Sequence, residues 1–199
     1  TWRALMEEQA IEMPCPMCQV EGKLGMMTHV DEIPYFGEHT QVTVLCHACG
    51  WRQTDFIPAE GRKPGGWNFE IASEKDLNAR VVRSSSCTVC IPELDLEVNP
   101  GGNTTGYVTN MEGLLNRFIK IVEMVMKDLD KSDKENVETL NHMLHRLKNA
   151  GIEGANLHVE LLDPHGLSQI LHPDAVDRDL TDEELARLPV GPDPAVFSK

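Results

Sequence analysis

The chain has 199 residues, 18 Lys and Arg against 32 Asp and Glu, a formal net charge of −14, six cysteines and ten aromatic residues. That length suits one large domain or two small ones, and a hydrophobic content of 41% with 25% charge is that of a chain with a real core rather than a disordered one. The charge argues against non-specific attachment to nucleic acid or anionic membrane, which needs a surplus of Lys and Arg. No apolar run approaches the roughly 18 residues that would span a bilayer, and no basic-then-apolar leader opens the sequence. The expectation is a soluble, cytoplasmic protein.

The acidity is concentrated at the ends. Residues 1–60 carry 3 basic and 9 acidic side chains, and residues 151–199 carry 3 and 10; residues 61–110 carry 5 and 6, and residues 111–150 carry 7 and 7. A face for an acidic ligand would have to come from Arg62, Lys63, Arg80, Arg83 or the lysines of the helical region.

In chain order, residues 1–12 read as a short helix or a tail. Residues 13–57 hold two C-x-x-C pairs around a stretch with Thr40, Val42, Val44 and Leu45 that reads as a strand running into the second pair. Short strand-like runs follow at Trp67–Ile71, Ala79–Val82, Thr88–Ile91 and Leu94–Val98, broken by Gly, Ser and Pro. This spacing favours a sandwich or barrel over a parallel α/β sheet. Over residues 111–150 the period becomes helical. Thr109 with Glu112 forms a capping box ahead of the Leu114, Leu115, Phe118, Val122 stripe. Ser132 with Glu135 repeats it ahead of Val137, Leu140, Leu144 and Leu147, and Gly151 is the expected C-cap. Leu157–Leu162 returns to strand character, Asp163–Gly166 is a turn, and Thr181 with Glu184 opens a last short helix. Strands on both sides of a helical hairpin place that hairpin as an insertion in one β domain. The expected division is a ribbon with its N-terminal extension at 1–60, a β domain at 61–176 with the hairpin at 111–150, and a C-terminal helix and tail at 177–199.

The strongest chemical signal is Cys15-Pro-Met-Cys18 and Cys46-His-Ala-Cys49-Gly50. Two C-x-x-C turns present four thiolates, the soft tetrahedral shell that zinc prefers, and a four-cysteine shell leaves no position for water or substrate. The metal is therefore expected to be one structural Zn2+ rather than a catalytic ion, since paired disulfides do not suit a reducing compartment. Gly50 suits a knuckle that needs positive φ. A third pair, Cys87 and Cys90, falls on a strand, where i and i+3 point to opposite faces and cannot chelate one ion. These two read as packing thiols. An enzyme reading rests on His158 and Glu160, at the spacing that puts an imidazole and a carboxylate on one face of a strand, with His165 or His172 as a second imidazole for a non-haem iron site. Against it, Leu157, Val159 and Leu161 claim the apolar face, so His158 and Glu160 turn to solvent. The aromatic-rich segment Ile33, Pro34, Tyr35 and Phe36, lying between the knuckles, is the candidate partner contact, with packing of the ribbon on the β domain as the competing role.

Several of these segments together resemble a known family. They are Cys15 to Cys18, Ile33 to Phe36, Cys46 to Cys49 with Gly50 and Trp51, Asp76 and Leu77 through Val81, Arg83 with Ser84, Ile91 to Glu97, Thr109 with Glu112 to Leu115, and Asp163 with Pro164, Gly166 and Ser168. The chain resembles the ZPR-one type zinc-finger proteins in their archaeal-type, single-module form. The resemblance implies a zinc ribbon followed by a double-stranded, jelly-roll-like β-helix that carries a helical hairpin: a mainly β fold with an α insertion. It also implies a non-enzymatic role in binding and folding translation elongation factor 1-alpha, as described for members with two modules. The chain departs from the pattern in its single module, in Cys87 and Cys90, and in Leu167. A nucleic-acid- or ribosome-associated zinc ribbon is the second class of function, disfavoured by the acidity of residues 1–60.

Overall fold

The computed structural model describes residues 7–62, 65–101, 105–130, 132–152 and 154–192. Lys63 and Lys131, part of the first twelve residues and the last seven lie outside that set.

The amino-terminal part is a four-stranded antiparallel sheet in the order β1 (Gln9–Ile11), β2 (Leu24–Ile33), β3 (Gly37–Cys46) and β4 (Arg52–Pro58). Residues 9–11 are thus a strand and not a helix. They pair with Leu24–Met26 of β2, and that long-range pairing, not a local preference, sets their conformation. Leu24, Met26, Val42, Val44 and Trp51 pack with Cys15 and Cys46 into a small core at one end of the sheet. The other half of β2 is solvated and carries His29 and the charged Asp31 and Glu32, side chains of the kind that keep a sheet edge from pairing with another chain.

The second part has two sheets. Five antiparallel strands run in the order β12 (Val176–Arg178), β5 (Gly66–Ile71), β10 (Leu157–Leu162), β7 (Thr88–Ile91) and β8 (Leu96–Val98); three more run β11 (Gln169–Leu171), β6 (Arg80–Arg83) and β9 (Tyr107–Asn110). Leu157, Val159 and Leu161 of the central strand are buried, as the alternation predicts, and Phe69, Ile71, Val81, Val89 and Ile91 meet them. Only Leu96–Val98 of the run predicted from Leu94 is strand, because Pro92–Leu94 form a 3-10 turn that ends on Asp95 at φ 50.

Between β9 and β10 lies the helical hairpin, α1 (Met111–Asp128) and α2 (Lys134–Lys148). Met111, Leu114, Leu115, Phe118 and Val122 bury α1 against the core, whereas α2 buries only Leu147 among its described residues. Both caps fall one residue later than the sequence pattern placed them. Thr109 is held in β9 opposite Val81, so Asn110 caps α1 by accepting from Gly113 N at 2.8 Å. Asp133, not Ser132, caps α2 by accepting from Asn136 N at 3.3 Å. Asn149 closes α2, and Gly151 makes its left-handed turn two residues further on. The short helix α3 (Asp182–Arg187) has the expected Thr181 and Glu184 capping box.

Two buried carboxylates fasten the parts. Asp163, at the turn after β10, accepts from the hydroxyls of Ser84, Ser86 and Ser168, each at 2.7 Å, and from the amides of His165, Leu167 and Ser168. Between those serines, Ser85 turns the other way and donates its amide to Asp55 of β4 at 2.7 Å, and its hydroxyl to the same carboxylate. Gly106 N reaches Thr54 O at 2.6 Å, an approach open only to glycine, since a Cβ there would lie 2.9 Å from that oxygen and 3.0 Å from the Asp55 carboxylate.

Burial holds the Asp55 carboxyl above its ordinary range, opposed by the Ser85 and Gln53 bonds and reinforced by Asp163. A raised folded-state pKa means that folding takes up a proton. The stabilisation is full below the ordinary carboxylate range and is lost as pH rises through the raised value. Asp55→Asn is expected to flatten that dependence in denaturation midpoints measured against pH, whereas Asp55→Ala, which strands the Ser85 donors, should cost about 2 kcal/mol in denaturant titrations.

Candidate metal centre and partner surface

The two knuckles are built alike. Gln19 N bonds Cys15 O and Gly50 N bonds Cys46 O, each at 2.9 Å, so each C-x-x-C turn closes on the residue that follows its second cysteine. That residue is left-handed in both, with φ 60 at Gln19 and φ 77 at Gly50. Gly50 was expected from its residue type; Gln19 was not, because only the matching position in the other knuckle marks it.

The turns bring the sulfurs of Cys15, Cys18, Cys46 and Cys49 within 4.8 Å of one another. Cys15 to Cys49 and Cys18 to Cys46 are each 3.8 Å. A tetrahedron of thiolates about 2.3 Å from zinc has edges of about 3.8 Å, so the shell fits that ion. Met17 N lies 3.4 Å from the Cys15 sulfur and supports its charge. The backbone amides of Cys49 and Ala48 bond the Cys46 sulfur and favour the thiolate that the metal requires. The zinc is structural: all four ligands come from the chain, and the shell is full.

The remaining candidates separate. Cys87 is buried in the main core, while Cys90 packs on the other face of its strand with Leu162 and Leu188; burial pushes both thiols up to about 12. His158 is bonded to Glu93, and Glu160 accepts from Asn68 at 3.0 Å. His172 lies on the Phe69 ring, 4.7 Å between centroids, near Asp76 and Asp174. His165 is buried in the turn beside Asp163. The structure does not gather these histidines with Glu160 into a facial triad. Among the described residues, the four cysteines are the one group of three or more side chains placed to hold a metal.

Ile33 to Phe36 form the turn at the far end of β2 and β3. The ten residue pairs from Leu24–Cys46 to Ile33–Gly37 put that turn about 30 Å from the knuckles. Phe36 N bonds Ile33 O at 2.9 Å, with Pro34 and Tyr35 between them and Tyr35 at φ 74, the pattern of a type II turn. Phe36 is half-buried, edge-on to His39, whereas Tyr35 is 75% exposed with the Arg80 guanidinium 5.7 Å from its ring centre. Phe36 thus packs within its own hairpin, and the contact with the β domain is the Arg80 guanidinium on Tyr35, whose ring is otherwise exposed together with Pro34.

Metal analysis is expected to return one zinc per chain. A Cys15→Ser, Cys18→Ser double variant should lose it and expose Trp51, seen as a red shift in fluorescence, with a loss on the order of 10 kcal/mol of metal-coupled folding. Gly50→Ala meets nothing within 4 Å and should cost about 1 kcal/mol of ribbon stability through backbone strain alone, read as a lower chelator concentration for zinc release.

The sequence model of the ZPR1 jelly-roll domain matches residues 75–189. A ZPR1-like protein of Methanocaldococcus jannaschii is 37% identical over 185 residues, 92% of this chain and 92% of that protein. A ZPR1-like protein of Pyrococcus horikoshii is 36% identical over 180 residues, covering 89% of this chain and 80% of its own length. The zinc finger chaperone zpr1 of Schizosaccharomyces pombe is 32% identical over 150 residues, 74% of this chain but 30% of that longer protein. A shared ribbon motif alone would not extend such identity through both sheets and the hairpin, and the chain therefore belongs to the ZPR1 family.

Proposed function

We propose that this chain is a non-enzymatic binding module that acts in the cytoplasm on a protein client, and that the client is a GTPase of the translation elongation factor 1-alpha type. The observation that carries the reading is Tyr35. A bulky side chain in the left-handed region is costly, and a glycine would remove that cost. At this position the ring is 75% exposed at the end of a long hairpin, with the Arg80 guanidinium against it and most of its surface free for a partner. Large amphipathic rings on rigid supports are typical interface anchors. A second apolar strip, Met124 and Val125 of α1, is also exposed.

The client class comes from the family resemblance, and the fission-yeast relative's name, zinc finger chaperone, agrees with a folding role. The acidity of the ribbon would speed encounter with a basic client without deciding specificity. It also weighs against the nucleic-acid reading, since residues 1–60 carry 9 acidic and 3 basic side chains.

Tyr35→Gly separates anchor from structure. It should leave thermal stability unchanged within about 1 kcal/mol, because relief of backbone strain offsets loss of the Arg80 contact. It should also weaken binding of the purified elongation factor about tenfold in titration calorimetry. Unchanged affinity would remove the anchor role, and absence of binding by the wild-type chain would remove the client.

A further inference from the structure

Arg83 is the only buried Lys or Arg among the described residues, 5% exposed. A guanidinium stays charged in proteins and carries five N–H donors. Here Nη2 donates to Cys87 O at 2.7 Å, and Nε has no hydrogen-bond partner. Among the described residues no carboxylate pairs with it; Asp163, the nearby buried acid, is taken up by the serine hydroxyls and backbone amides that bond it. A buried cation left in this state is expensive and calls for an anion.

A second cation stands beside it. The Arg117 guanidinium of α1 lies 3.7 Å from the centre of the Tyr107 ring, and that of Arg83 lies 5.6 Å from the same centre. Both guanidinium groups thus lie against one aromatic ring, which attracts each of them. Both arginines line a cavity of about 140 Å³ between α1 and the sheets. The rest of its wall is Tyr107, Val89, Val98, Leu114, Phe118 and Ile121; among the described residues no acidic side chain lines it. The cavity is thus cationic at one part of its lining and apolar over the remainder, in a chain whose net charge is −14.

We propose that this cavity binds a small monocarboxylate with a branched-alkyl or aryl tail. The carboxylate bonds the guanidinium of Arg83 and that of Arg117, and the tail lies among Val89, Val98, Leu114 and Phe118. The volume is below the roughly 300–1,000 Å³ of pockets for drug-sized ligands, and suits a group the size of one Leu or Phe side chain. A planar carboxylate matches a guanidinium fork in charge and shape, and neutralises the buried charge without displacing the Cys87 bond. The same chemistry is offered by a free acid and by the carboxyl terminus of a polypeptide ending in an apolar residue.

The test uses the full zinc-loaded chain and titration calorimetry with two probe pairs: 4-methylpentanoate against 4-methylpentanamide, and a tripeptide ending in Leu as the free acid against its carboxamide. The expected result is saturable binding of at least one acid, with its amide at least about tenfold weaker. Arg117→Gln, at an exposed position of α1, should weaken the acid about tenfold and leave the amide unchanged, with the thermal midpoint measured alongside because the guanidinium stacks on Tyr107. Arg83→Lys, which keeps the charge and loses the fork, should also weaken it. Binding by the free acid alone assigns a metabolite, and binding by the peptide alone assigns a chain terminus. The proposal is overturned if neither acid binds at millimolar concentration, if acid and amide bind alike, or if Arg117→Gln binds the acid as the wild type does.

Discussion

Asp163 and Asp55 hold the Ser84–Ser86 loop from opposite sides, and that pair of contacts ties the ribbon to the sheets of the second part. Burying a carboxylate is costly unless its lone pairs are filled, and Asp163 fills them with three hydroxyls and three amides. The turn after the central strand, the loop after β6 and Ser168 ahead of β11 thereby meet at one point. Asp55 carries the link across to β4, so the ribbon is fixed to the jelly roll by side chain and backbone rather than by chain continuity alone.

Within the ribbon, zinc does what a core of seven buried residues cannot do by itself. It fixes the end of a hairpin whose other end stands about 30 Å away. Orientation of the Tyr35 turn is then a property of the whole sheet. The knuckles set one end, Asp55 and Thr54 dock β4, and Phe36 packs on His39 behind the exposed ring.

Charge is distributed to match. The ribbon and the carboxyl-terminal segment carry most of the excess acid, while among the described residues the two arginines at the α1 cavity have no acidic partner there. The hairpin is asymmetric in the same sense. Helix α1 closes the core and one wall of that cavity, whereas α2 leans on α1, with Lys148 bonded to Glu123 at 3.0 Å across the pair.

The sequence by itself determined what depends on local chemistry. Two C-x-x-C pairs name the metal and its ligands, since thiolate softness and turn geometry are contained in a few adjacent residues. Alternation along Leu157–Leu162 assigns its buried face and turns His158 and Glu160 away from the core, and Thr181 with Glu184 marks a helix start that the structure keeps. The opposite-face argument also separates Cys87 from Cys90. Tertiary structure decided the rest, because those features arise from residues far apart in the chain. Thr109 loses its cap role to a pairing with Val81, and Gln9–Ile11 become a strand only against β2. Asp55 gains its role from a serine thirty residues on. Arg83, one of several candidate cations in the sequence, becomes distinctive only once folding buries it against Tyr107, near Arg117, while the buried Asp163 is taken up by other donors. Desolvation is a property of the packed chain, and no local pattern encodes which charge will be left without a partner.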